Sequence, residues 1–130
     1  AMSYQKLVRD RIPEIIEASG RKPVWHELDQ TEFQAELRRK LDEEWTEYAE
    51  ATTADDKVEE LADVSEVLRS IDLSDEARVR EQNKVVLALS GIGCSPEMMH
   101  QIREQKAETR GRFLRRIYLE GVEDPTDPID

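Results

Sequence analysis

The sequence predicts an all-α fold, a bundle of about five helices, and three observations carry that prediction. Charged residues make up 38% of the chain and aromatics only 5%, a balance that suits solvent-laced helices better than a β-sandwich. Helix-start signatures recur along the chain, each closed by a glycine or a polar turn. The segments between them are short, which sets successive helices beside one another. With 130 residues, the chain suffices for one domain with a modest core, assigned to residues 2–122. Ala1, ahead of Met2, reads as a tag remnant and is set aside. The acidic tail 123–130, with Pro125 and Pro128, is predicted to be disordered.

The first helix is expected over Ile12 to Ser19, with Asp10 near its start and Gly20 as its stop. Arg21 to Leu28, containing Pro23, Val24 and Trp25, reads as an extended connector. Thr31 with Gln34 forms a capping-box pattern that opens a second helix running to about Ala51. After a polar turn over Thr52 to Asp55, Asp56 with Glu59 opens a third, reaching about Ser70. Ser74 opens a fourth, which ends near Gly91 and Gly93. Ser95-Pro96-Glu97 opens a fifth, with proline at the first helical position, and Gly111 ends it. Arg116 to Val122 is expected to be a short extended segment.

The formal net charge of −11 argues against nucleic acid as a partner, because phosphate neutralisation needs a basic face. No stretch approaches the ~20 apolar residues of a membrane span, so no membrane partner is expected. Cys94 is the single cysteine; with no signal-like run, a reduced cytoplasmic setting is the expectation.

Some of this acidity falls where a solvated carboxylate should not. Projected at 100° per residue with Leu37 at zero, Phe33, Leu41, Tyr48 and Trp45 form the apolar stripe of the second helix, and Glu44 falls inside it at about −20°. Glu47 lies on the stripe's edge at about −80°. On the third helix, with Leu61 at zero, Glu60 lies within the apolar arc at about −100° and Asp63 just beyond it at about −160°. Each helix thus carries two carboxylates three residues apart, neighbours on the helix surface. Two helices joined by a short turn can bring both pairs together. A carboxylate among Leu, Phe and Tyr is costly unless paired, protonated or bound to a cation. Oxygen donors of this kind suit Mg²⁺, with Mn²⁺ as a substitute. The metal is therefore expected to be held by Glu44, Glu47, Glu60 and Asp63.

Glu43-Glu44-x-x-Glu47, twelve intervening residues and Glu60-x-x-Asp63 resemble the motif of the all-α nucleoside triphosphate pyrophosphatases, which include MazG, the dimeric dUTPases and phosphoribosyl-ATP pyrophosphohydrolase. Lys6-Leu7-Val8-Arg9-Asp10-Arg11-Ile12-Pro13-Glu14-Ile15-Ile16 resembles the N-terminal signature of the small MazG-related, phosphoribosyl-ATP pyrophosphohydrolase-like branch. Lys106-Ala107-Glu108-x-Arg110-Gly111-x-Phe113 resembles its C-terminal one. The chain departs from the pattern in a longer Ile71 to Gly93 segment and in Arg112, where a second glycine is common.

The resemblance implies a housekeeping enzyme that cleaves a nucleoside triphosphate, ordinary or non-canonical, to the monophosphate and pyrophosphate with Mg²⁺. It implies Glu44 or Glu47 as the general base, Lys6, Arg9, Lys106 and Arg110 as phosphate-binding residues, and a homodimer or homotetramer. The alternative is a helical module of the same fold that binds a nucleotide or a partner without catalysis.

Overall fold

The structure is a computed structural model and describes residues 1–126. Its elements run β1 (Met2–Leu7), α1 (Ile12–Ala18), β2 (Lys22–Glu27), α2 (Gln30–Glu50), α3 (Ala54–Ser70), α4 (Asp75–Gly91), α5 (Pro96–Arg110) and β3 (Ile117–Glu123). The five expected helices are present, but the all-α class is not what the chain adopts. Three strands form an antiparallel sheet in the order β1-β3-β2, so the fold combines α and β. The two segments read as isolated extended stretches become β2 and β3. β1, whose residues carry no strand pattern, joins them. Glu123 closes β3 rather than opening a tail, and residues 127–130, where most of the predicted disordered tail falls, lie outside the described residues.

The helices start where side chains can satisfy their first free N–H groups. Asp29 accepts from the Glu32 amide at 2.8 Å while the Glu32 carboxylate accepts from the Asp29 amide at 3.2 Å, a complete capping box two residues ahead of the one expected at Thr31. Thr53, Ser74 and Ser95 cap α3, α4 and α5 in the same way. Only 51–53 separate α2 from α3, so the two pack as a helical hairpin. The main core lies between that hairpin, α4, α5 and the sheet, and includes Leu7, Phe33, Leu37, Leu61, Val64, Val67, Leu89 and Phe113. A second cluster of Val8, Ile16, Ile117, Leu119 and Val122 glues α1 to the sheet.

In β3, burial alternates at Ile117 and Leu119 and then skips to Val122. The skip coincides with a register shift against β2 between Val24 and Trp25, because one extra residue in a strand moves the following side chains to the other face. Pro23 is tolerated because β2 is an edge strand. The sheet's contribution to the site is positional. β1 delivers Lys6 and the loop after it delivers Arg9, both beside the C-terminal end of α5.

A candidate metal and phosphate site

The α2–α3 hairpin brings Glu44, Glu47 and Glu60 together, one carboxylate oxygen of each lying within 4.8 Å of the others. They are unequally sheltered: Glu44 is only 6% exposed, Glu60 is half-buried and Glu47 faces solvent. Oε2 of Glu44 and Oε2 of Glu60 are buried with no hydrogen-bond partner. The nearest cation to Glu44 is Lys40, one turn earlier on the same helix face, at 4.0 Å. Burial pushes the Glu44 carboxyl up to about 9, helped by a hydrogen bond with Glu60 and by the charges of Asp63 and Glu47, with Lys40 opposing. Burial also raises Glu60, with Glu47 and Asp63 adding to it. Such a cluster is stable when a proton is shared within it or when a cation replaces that proton. An all-oxygen donor set with orphaned buried oxygens fits a hard divalent ion.

Asp63, the fourth expected ligand, is engaged elsewhere. Its Oδ1 receives Arg9 Nη2 at 2.9 Å and Lys106 Nζ at 2.8 Å. Lys106 also reaches Glu59 at 3.0 Å. Arg9 is 7% exposed. Its guanidinium donates to the Gly111 carbonyl at 3.3 Å and lies 5.5 Å from the centre of the Phe113 ring.

Beside the carboxylates opens a cleft of about 180 Å³. Lys6, Arg9, Lys40 and Arg110 supply its positive wall, Glu44 and Asp63 its acidic one, and Leu7, Val8, Ile12, Val67 and Phe113 its apolar floor. Of the four basic residues expected to bind phosphate, Lys6, Arg9 and Arg110 line this cleft, and Lys106 stands behind Asp63 at its edge.

Sequence reasoning missed Lys40 and Phe113 as site residues. Lys40 precedes Glu44 by four positions, the spacing at which helix neighbours pair, and that is the signal that points to it. The Lys40 ammonium also lies 5.8 Å from the centre of the Phe113 ring.

Two motifs about a hundred residues apart meet here through backbone. The amide of Asp10 donates to the Arg112 carbonyl at 2.8 Å and that of Arg11 to the Arg110 carbonyl at 2.9 Å. The Asp10 carboxylate in turn accepts from the amides of Leu114 at 3.0 Å and Arg115 at 2.8 Å. Arg112, at the place of the expected glycine, is tied to the fully buried Glu66 of α3 at 2.7 Å and also to Glu104.

Gly111 holds the crossing point at φ 83°, a left-handed region that favours glycine. A Cβ there would stand 2.9 Å from the Arg11 amide nitrogen. Gly111→Ala is therefore expected to cost about 1–3 kcal/mol and to loosen Arg9. Urea denaturation should report the lower midpoint.

A 54-residue stretch of the chain is 54% identical to an uncharacterised protein of Mycolicibacterium smegmatis, covering 42% of this chain and 55% of that protein's length. No family model matches the sequence, and no solved structure matches it. Among the described residues, no helix is long and apolar enough to cross a membrane.

Proposed function

We propose that this chain is a Mg²⁺-dependent nucleoside triphosphate pyrophosphohydrolase, as its resemblance to the MazG-related enzymes implies. One observation supports this above others: buried, unpartnered carboxylate oxygens on α2 and α3 adjoin a cleft walled by cations. A triphosphate bound with a divalent ion carries both complements, negative oxygens for the cations and a metal for the carboxylates.

Glu44, Glu47 and Glu60 would hold the metal, with Asp63 at hand. When bound, Mg²⁺ supplies charge neutralisation on the phosphate oxygens and polarises an attacking water. The protein positions the rest. Arg9 and Arg110 grip phosphate oxygens from the loop after β1 and the end of α5, and Lys6 and Lys40 close the cleft on either side. Glu47, the solvent-facing member of the triad, would take a proton from water, while Glu44 would hold the metal from inside. Attack on the α-phosphorus breaks its bond to the bridging oxygen. The products are a nucleoside monophosphate and pyrophosphate, the latter retained briefly by the cleft's cations.

The test is pyrophosphate release with Mg²⁺ across ordinary and modified nucleoside triphosphates. Release that disappears with chelator supports the proposal, and folded protein that turns over none of them sinks it. Lys40→Met is expected to raise KM roughly 10–100-fold, the loss of one charge-assisted phosphate contact, with a smaller effect on kcat. Steady-state kinetics decide between that and a purely structural lysine.

The reading also places the enzyme in the cytoplasm as a homodimer or homotetramer. Val79, Val86 and Leu87 leave α4 with exposed apolar side chains, Leu87 at 72%, which is surface available for a second copy. Light scattering on the purified protein measures the assembly.

A further inference from the structure

Asp63 follows Glu60 by three positions on α3 and so neighbours it on the helix surface. It nevertheless stands outside the Glu44, Glu47 and Glu60 cluster. The reason is visible in its bonding: Arg9 and Lys106 converge on the same oxygen, Oδ1, at 2.9 and 2.8 Å. Both cations belong to the set expected to bind phosphate, Arg9 lining the cleft and Lys106 standing behind Asp63 at its edge. Their partner carboxylate belongs to the set that faces the expected metal.

We infer that Asp63 is a transferable ligand, held by Arg9 and Lys106 in the free protein and passed to the divalent cation when a polyphosphate takes those two cations. The inference rests on the proposed pyrophosphohydrolase reading. Recruiting Asp63 to a metal in the free protein means breaking two charge-assisted bonds. A polyphosphate removes that cost by offering Arg9 and Lys106 phosphate oxygens instead. Metal and polyphosphate then tighten each other's binding, and linkage makes the effect equal in both directions. A metal ion alone meets three carboxylates and binds weakly. The complete four-carboxylate site assembles only over a substrate, so the water-activating ion is not fully held in an empty cleft.

The test uses calorimetric titration of the whole protein with Mn²⁺ alone at pH 8. Lys106→Met releases part of the hold on Asp63 and should tighten Mn²⁺ binding roughly five- to tenfold. Asp63→Asn alone should change the affinity by less than about twofold, because Asp63 is not yet a ligand. In the double variant the tightening should vanish. A general field effect of removing one positive charge would persist in the Asp63→Asn background, and that persistence overturns the inference. So does an unchanged affinity in Lys106→Met, or a loss of tenfold or more in Asp63→Asn, which would make Asp63 a ligand from the start. Lys106→Gln, checked for folding by circular dichroism, runs beside Lys106→Met so that the result does not depend on one variant's stability. Wild-type protein that binds Mn²⁺ and releases pyrophosphate in any of these failures leaves the proposed function standing. Wild-type protein that binds no Mn²⁺ overturns both.

Discussion

Glu44→Gln is expected to abolish measurable pyrophosphate release, a loss of at least about a hundredfold, while making the metal-free protein more heat-stable at pH 8. The two effects share one cause. In the folded chain the Glu44 carboxyl is pushed up to about 9 from an ordinary value of 4.5, chiefly by burial. The folded state therefore binds its proton more tightly than the unfolded state does. The associated stability is complete below the unfolded value of 4.5 and is lost as pH rises towards 9. Glutamine cannot ionise and escapes that loss. Thermal melts in chelator should show the variant above wild type at pH 8 and level with it near pH 4. Mg²⁺ reverses the order by replacing the proton. At about a hundred times its dissociation constant it should raise the wild-type Tm at pH 8 by about 10 °C, and the Gln variant's Tm far less. The rise should shrink towards pH 5, where the proton competes.

Arg9→Ala is expected to be the most destabilising substitution at the site. Arg9 is buried, and its loss strips a partner from Asp63 and from the Gly111 carbonyl and removes a cation from the Phe113 face. Lys106 still pairs with Asp63, so the loss is that of a charge-assisted hydrogen bond and its packing, about 1.5–3 kcal/mol, which urea denaturation would read as a fall in midpoint. Arg9→Lys keeps the charge but not the fork that reaches Asp63 and Gly111 at once, so it should recover only part of the loss. Asp63 keeps Lys106 at 2.8 Å in Arg9→Ala, so no charge is left alone there, and Asp63→Asn in that background should recover little stability. A full recovery would mean that the loss came from the Asp63 charge and not from the packing and hydrogen bonds of Arg9.

The helices were legible because their signals are local. Caps at Ser74 and Ser95, proline at the start of α5 and Gly111 at its end are read within a few residues. The start of α2 was misplaced by two because Asp29 with Glu32 and Thr31 with Gln34 are overlapping capping patterns, and nothing local chooses between them. The extended character of β2 and β3 was legible, but β1 and the pairing into a sheet were not, for two physical reasons. β1 reads Met-Ser-Tyr-Gln-Lys-Leu, with only Leu7 buried, so it lacks the alternation that marks a half-buried strand. Its pairing partner lies at the other end of the chain, and Met2 meets Val122. β3 has the apolar residues of a strand, but its bulge breaks their period.

At the site, Glu44 could be read because a carboxylate inside an apolar stripe is anomalous on a helix projection. Its neighbours in space could not. Lys40 looks like any surface lysine until Phe113 is folded over it. The engagement of Asp63 by Arg9 and Lys106 depends on the crossing of 9–11 with 110–112, a tertiary event. The fully buried Glu66 shows the same limit, since its partner Arg112 lies 46 residues away.

The measurement that bears most directly on this account is anomalous diffraction from crystals grown with Mn²⁺ at pH 8. A manganese peak is expected between Glu44, Glu47 and Glu60, within about 2.5 Å of a carboxylate oxygen from each helix, and it should disappear in Glu44→Gln. Fully soaked wild-type crystals with no peak at that place, and Glu44 still facing Glu60 across a proton, would contradict it.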